Sequence, residues 1–185
     1  MEDGTTDSLG RDHCLIMNAI MVAPPSMAAL FRKNRMHKHL PQRWDFEDSW
    51  YFVTVVTQDR CPYFANKEYC EILLDACRSV REKHPFRLGA LVILPDHWHG
   101  LIRPEEKQVV EGVVGGVKQR VYHESRKHDG KAVYWQARFM DHRIRDEADY
   151  FQHLEYMRLN PRKHELMPDD KAEWPWWFVH QNPFG

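Results

Sequence analysis

The sequence predicts an α+β domain, an antiparallel sheet with helices packed on one face. Three observations lead there. Stretches of strand composition and of helical period alternate in the order strand, helix, strand, strand, helix, strand, helix. The two middle strands are separated only by Pro95-Asp96, a tight-turn signal that makes them an antiparallel pair. Finally, 185 residues with 43% hydrophobic and 29% charged side chains make one globular domain with a real core rather than a disordered chain.

In chain order, residues 1–44 read as an extension, partly disordered or a basic arm, 45–166 as the domain, and 167–185 as an aromatic tail packed on it. The opening Met-Glu-Asp-Gly carries the wrong charge for a secretory signal, and Cys14 to Ala23 is too short to span a bilayer. No membrane partner is therefore expected. Translation from Met27 or Met36 is a further expectation, which recovery of a peptide from residues 1–25 would remove. Arg32, Lys33, Arg35, Lys38 and Arg43 follow with no acid between them, a segment suited to phosphates.

Ser49 to Thr57 has the Val, Thr, Phe and Tyr content of a strand and is apolar on both faces, as a central strand is. Tyr63 to His84 places Tyr69, Ile72, Leu73, Cys77 and Val80 at helical spacing before Pro85. Phe86 to Leu94 and His97 to Ile102 are the hairpin. Lys107 to His128 is helical through Val110, Val113, Val114, Val117 and Val121, although Gly115-Gly116 weakens its middle by roughly 1 kcal/mol per glycine. Val133 to Gln136 and Phe139 to Arg145 supply the last strand or strand pair. A third helix starts at the N-cap Asp146, carries an apolar stripe of Tyr150, Phe151, Leu154 and Met157, and stops at Pro161. This alternation fits the ferredoxin-like split arrangement.

The four cysteines, Cys14, Cys61, Cys70 and Cys77, form no Cys-x-x-Cys pair, which suits a reducing cytoplasm. A net charge of -1 excludes a general polycation, so any nucleic-acid surface must be local.

Chemistry concentrates at two places. His97 and His99 alternate along a strand with Trp98 between them, so both imidazoles project from one face, where one metal ion could be gripped. Tyr156 and Asn160 stand four apart on the last helix, off its apolar stripe, so phenol and amide look at the same point. Alone, each pair is commonly unremarkable.

Together they carry a resemblance. The ordered segments Trp50–Thr57, Leu94–Ile102, Trp135–Arg145, Tyr156–His164 and Glu173–Trp176 resemble the HUH single-tyrosine transposases, and within them the REP-associated tyrosine transposases. The likeness spans most of the chain. Arg162 and Glu165 stand where the family commonly has valine and glycine, a departure that bears on specificity rather than on the candidate ligands.

The resemblance implies an enzyme that cleaves and rejoins single-stranded DNA next to palindromic REP hairpins through a covalent 5′-phosphotyrosine. Tyr156 is the expected nucleophile, with His97, His99 and Asn160 as ligands of a divalent ion. Two imidazoles and an amide are compatible with Mg²⁺ or Mn²⁺, the ions that the resemblance implies. Gln152, His153 and Gln136 are candidates to position the phenol, and the sequence does not choose among them. Lys118, Arg138, Arg143, Arg145, Arg162 and Lys163 join the N-terminal basic residues as candidate DNA contacts, with Tyr122, Tyr134, Trp135 and Phe139 interleaved for base stacking. The partner expected is single-stranded or hairpin DNA, the place the cytoplasm at the nucleoid, and the assembly a monomer or homodimer. Two other readings compete: a catalytically silent hairpin-binding protein, and a metal-dependent phosphodiesterase that uses activated water.

Overall fold

The computed structural model describes residues 49–167 and 173–180. Five strands, β1 (Tyr51–Val56), β2 (Phe86–Leu94), β3 (His97–Pro104), β4 (Met140–Arg143) and β5 (Trp177–Val179), form one antiparallel sheet in the order β4-β1-β3-β2-β5. Among the described residues three α-helices, α1 (Lys67–Val80), α2 (Val110–Asp129) and α3 (Glu147–Lys163), complete the α+β fold expected from the sequence.

The sheet divides the core in two. On one side Val53, Val55, Leu91, Ile93, Trp98 and Ile102 meet Leu73, Cys77 and Val80 of α1 and Val113, Val117 and Val121 of α2. On the other, Phe52, Ala90, Val92, Leu94 and Leu101 meet Tyr150 and Met157 of α3. Helices on one face therefore describe α1 and α2 only, and α3 covers the reverse. The cause lies in β1 and β2, which are apolar on both faces and leave neither for water.

Local signals explain most boundaries. The Asn66 side chain caps α1 by accepting from the Glu68 N–H, and Asp146 caps α3 by accepting from the Asp149 N–H at 2.8 Å. Helix α2 runs unbroken through Gly115-Gly116 and ends at Gly130, whose φ of 81° is the left-handed C-cap glycine favours. In β2 a bulge falls at Gly89, where a Cβ would collide with the Tyr150 hydroxyl and with Trp50, so the bare backbone lets α3 close on the sheet.

Three expectations need correction. Pro161 lies inside α3 rather than ending it; in the last turn a proline forfeits one bond, and Leu166 N–H bonds to the Pro161 carbonyl at 3.0 Å as the chain turns out of the helix. Val133 to Gln136 is not a strand beyond an isolated bridge from Trp135 to Thr57. Helix α2 captures it instead, through Trp135 Nε1 to the Lys118 carbonyl at 3.1 Å and Val133 N–H to Ser125 Oγ at 3.0 Å. Phe151 belongs to no buried stripe and is 48% exposed. Strand β5, which no pattern in the tail announced, pairs with Ala90 to Val92, and Trp174 Nε1 bonds to the Ile93 carbonyl at 2.8 Å.

Candidate active site

Strand β3 projects His97 and His99 onto the face that α3 covers, while Trp98 is buried under α1 and α2. Both imidazoles are buried, and their rings stand 4.9 Å apart, edge to face. Each is fixed from behind. His99 Nδ1 bonds to Thr54 Oγ1 at 2.8 Å from the neighbouring β1, and His97 Nδ1 to Asp96 Oδ1 at 2.6 Å from the hairpin turn. Both Nε2 atoms are thereby turned away from these partners, the arrangement in which a second partner orients a metal-binding histidine.

Tyr156 and Asn160 come down on the same point from α3. The Tyr156 ring lies 5.5 Å from the His99 ring, and Phe52 props the group from below, stacked on His99 at 5.3 Å and edge-on to Tyr156 at 5.9 Å. Burial pushes the Tyr156 phenol up, and the hydrogen bond it receives from the Asn160 amide pulls it back. Lys163 Nζ sits 4.6 Å from the Tyr156 ring centroid, a cation over the ring face. His164, which caps α3, brings its ring to 5.5 Å from His97.

Two buried acceptors in this group, His99 Nε2 and Asn160 Oδ1, have no hydrogen-bond partner among the described residues. Burial holds the His99 imidazole well below its usual pKa, reinforced by His97 and His164, so the ring is neutral, and in the tautomer whose Nδ1–H donates to Thr54 Oγ1 its Nε2 carries a lone pair. Buried acceptors are normally satisfied, and an imidazole lone pair and an amide oxygen are both groups that a cation takes. The donor set therefore fits a divalent ion held by His97, His99 and Asn160.

The family model described as "Transposase IS200 like" matches residues 45–148. The chain belongs to the IS200-like transposase family. A relative in Haemophilus influenzae, assigned as a REP-associated tyrosine transposase, is 32% identical over 143 residues, which cover 71% of this chain and 80% of the relative. The REP-associated tyrosine transposase of Escherichia coli K12 is 28% identical over 142 residues, covering 76% and 82%. A solved structure of a REP-associated tyrosine transposase bound to a REP hairpin superposes with a TM-score of 0.63 at 28% identity, over 77% of this chain and 82% of that one.

The other expected residues of this IS200-like chain lie variously around the site. His153 rests on Phe52 with ring centroids 4.7 Å apart, its Nδ1 at 2.8 Å from the Asp149 carbonyl. Gln152 is exposed on α3. Gln136 is exposed beyond the end of β1, its N–H bonded to the Val56 carbonyl at 3.0 Å and its carbonyl accepting from Lys118 Nζ at 2.7 Å. Arg145 Nε reaches Asp149 Oδ2 at 3.1 Å, and Arg138, Arg143, Arg162 and Lys163 are exposed. Arg32, Lys33, Arg35 and Lys38 lie outside the described residues. Sequence reasoning missed Thr54 and Asp96; the latter stands next to His97 in the chain, a signal that was available. It also missed that Asp149, in the first turn of α3, is buried between His142 and His153.

Proposed function

We propose that this chain is a single-tyrosine DNA nickase and ligase of the HUH kind, acting on single-stranded DNA beside REP-type hairpins. What supports the reading is the meeting of the Tyr156 phenol with two buried, unsatisfied acceptors, His99 Nε2 and Asn160 Oδ1, over one face of the sheet. The relatives' hairpin ligand extends to this chain on that footing, and its place of action is then the nucleoid.

Tyr156 supplies the attacking oxygen. Its phenol, with a free pKa of about 10, is a weak nucleophile until its anion is stabilised, and the Asn160 amide and the Lys163 ammonium both favour that anion. A new O–P bond forms to the phenol oxygen as the P–O3′ bond breaks. The phenol proton leaves to solvent and the 3′ oxygen takes one up, so the step is balanced in protons. The product is a 5′-phosphotyrosine and a free 3′-hydroxyl, and reversal of the step rejoins strands without ATP. A divalent ion of the Mg²⁺ or Mn²⁺ class, when bound by His97, His99 and Asn160, polarises a non-bridging phosphate oxygen. Thr54 and Asp96 hold the two imidazoles in the ligating orientation. Exposed Arg138, Arg143 and Arg162 supply the sequence-independent grip on phosphates.

The test is covalent trapping. A hairpin oligonucleotide with a single-stranded flank, incubated with the full chain and Mg²⁺ or Mn²⁺, should yield an adduct that survives denaturing electrophoresis. Tyr156→Phe should abolish the adduct and retain hairpin binding. Cleavage without an adduct would mean water is the nucleophile, and binding with neither would mean a silent hairpin binder.

A further inference from the structure

One cluster on the same face of the sheet includes neither the candidate nucleophile nor any of the three candidate ligands of the first site. His142 of β4 and Asp149 and His153 of α3 place one ligand atom each within 4.8 Å of one another. His142 Nε2 stands 2.9 Å from Asp149 Oδ2, and His153 Nδ1 3.3 Å from Asp149 Oδ1. Zinc bonds of about 2.0–2.1 Å in a tetrahedron separate neighbouring ligand atoms by about 3.3 Å. The contacts of His142 and His153 with Asp149 lie near that spacing, each to its own carboxylate oxygen.

We propose that His142, Asp149 and His153 form a second metal site, for a zinc-class ion, that pins β4 to α3. Two imidazoles and one carboxylate are a zinc-type donor set. Asp149 is prepared as a ligand. Its Oδ2 is anchored by the Arg145 N–H and Nε, both at 3.1 Å, while its Oδ1 faces His153. Such outer bonds are what orient a coordinating carboxylate. The Arg145 side chain is 70% exposed and able to yield, and the His142 side chain, 35% exposed, gives the ion a way in.

Without metal, His142 Nε2 and His153 Nδ1 are in hydrogen-bond contact with Asp149, the latter also with its main-chain carbonyl at 2.8 Å. With an ion bound, those nitrogens present lone pairs and each ring proton sits on the opposite nitrogen. No proton is gained or lost by a neutral ring. The rings are stacked, with centroids 4.8 Å apart and planes 20° apart, so one ring must turn about its side-chain torsions for both in-plane lone pairs to point at one ion. Since Tyr156 lies two turns beyond Asp149 on the same helix, the ion would fix the helix that bears the proposed nucleophile.

The experiment separates this site from the first. Full-length protein carrying His97→Ala and His99→Ala, stripped with chelator, is titrated with Zn²⁺ by calorimetry and with Co²⁺ by visible absorbance. One equivalent should bind, with the intense d–d bands of a four-coordinate ion and a rise in Tm. Adding His142→Ala and His153→Ala should remove all three signals. In the otherwise wild-type chain, His142→Ala alone should cost one equivalent, which keeps the test valid if the combined variant folds poorly. Absence of zinc binding in both backgrounds, or binding that survives the His142 and His153 changes, would overturn the proposal. Loss of the Tyr156 adduct would leave these titrations unchanged, so failure of the proposed function and failure of this site are read separately.

Discussion

Asp96 joins Arg60 to His97: its Oδ1 meets His97 Nδ1 at 2.6 Å and its Oδ2 accepts from Arg60 Nη1 at 2.8 Å. Burial alone would raise this carboxyl, but the hydrogen bond and charge of His97, aided by Arg60, bring it down to about 2. The turn that delivers Arg60 is strained, with Asp59 and Arg60 both at φ 53°, a conformation costing about 1–3 kcal/mol per residue. The Thr57 N–H and hydroxyl both bond to the Asp96 carbonyl at 2.9 Å and hold that turn against the hairpin.

Removing the carboxylate should loosen His97 without unfolding the sheet. Asp96→Ala is expected to weaken Mn²⁺ binding about 10–100-fold, as loss of an outer partner of a metal-binding histidine does. Calorimetry on the full chain checks it, with circular dichroism as the control for folding. An unchanged Kd would mean that Asp96 serves the turn alone.

Asn160 has two tasks in the proposed mechanism, and its amide hydrogen bond gives a signature that ligand loss does not. That bond stabilises the phenolate and lowers the Tyr156 pKa against the upward push of burial. Asn160→Ala should therefore move the pH dependence of adduct formation to the alkaline side, besides lowering its yield. The rate of trapping from pH 6 to 10, at saturating Mn²⁺, reports it. A lower yield with an unmoved profile would leave Asn160 as a ligand only.

How much of this was legible depends on which physical period each residue obeys. The imidazoles of His97 and His99 were readable as a pair because a strand alternates, and Tyr156 with Asn160 because a helix repeats. Their outer partners were not. Thr54 lies 45 residues from His99, and only the β1–β3 register, Thr54 opposite His99, brings them together. Asp149 sits in the first turn of α3, where an acid is favoured by the helix dipole alone, yet His142 of β4 bonds to it and it is a buried hub. Period also says which residues of a helix face inward but not which side of the sheet it covers, which is why α3 was placed with α1 and α2.

Gly115 and Gly116 look alike in sequence and should respond oppositely to alanine. A Cβ on Gly115 meets nothing within 4 Å, whereas one on Gly116 would lie 3.0 Å from Val80 Cγ1, where α2 closes on α1. Gly115→Ala should raise stability by about 0.5–1 kcal/mol through helix propensity alone. Gly116→Ala gains the same propensity but must push Val80, so it should be less stable than Gly115→Ala. Urea unfolding of the two variants beside wild type decides it; equal gains would mean that the α1–α2 contact is looser than described.

Cys70 and Cys77 set the alkaline limit of the fold. Both are buried in the α1 face of the core, and burial pushes each thiol up to about 12. Cys70 also donates to the Phe64 carbonyl at 3.2 Å. In the unfolded chain a thiol ionises near 8.5. The folded state therefore holds protons that the unfolded state has lost, so stability is intact below about pH 8.5 and declines as pH rises toward 12. Tyr69, raised by burial and by its bonds to Asp129, adds to the decline above about pH 10. Urea midpoints should fall steadily from pH 8.5 to 10.5, and Cys77→Ala should flatten the first part of that fall while lowering stability at neutral pH. Native protein at pH 8 should react slowly with iodoacetamide at both positions, and rapidly once unfolded. Fast labelling of either cysteine in the folded state would show that α1 opens locally and that its thiols do not sense the core.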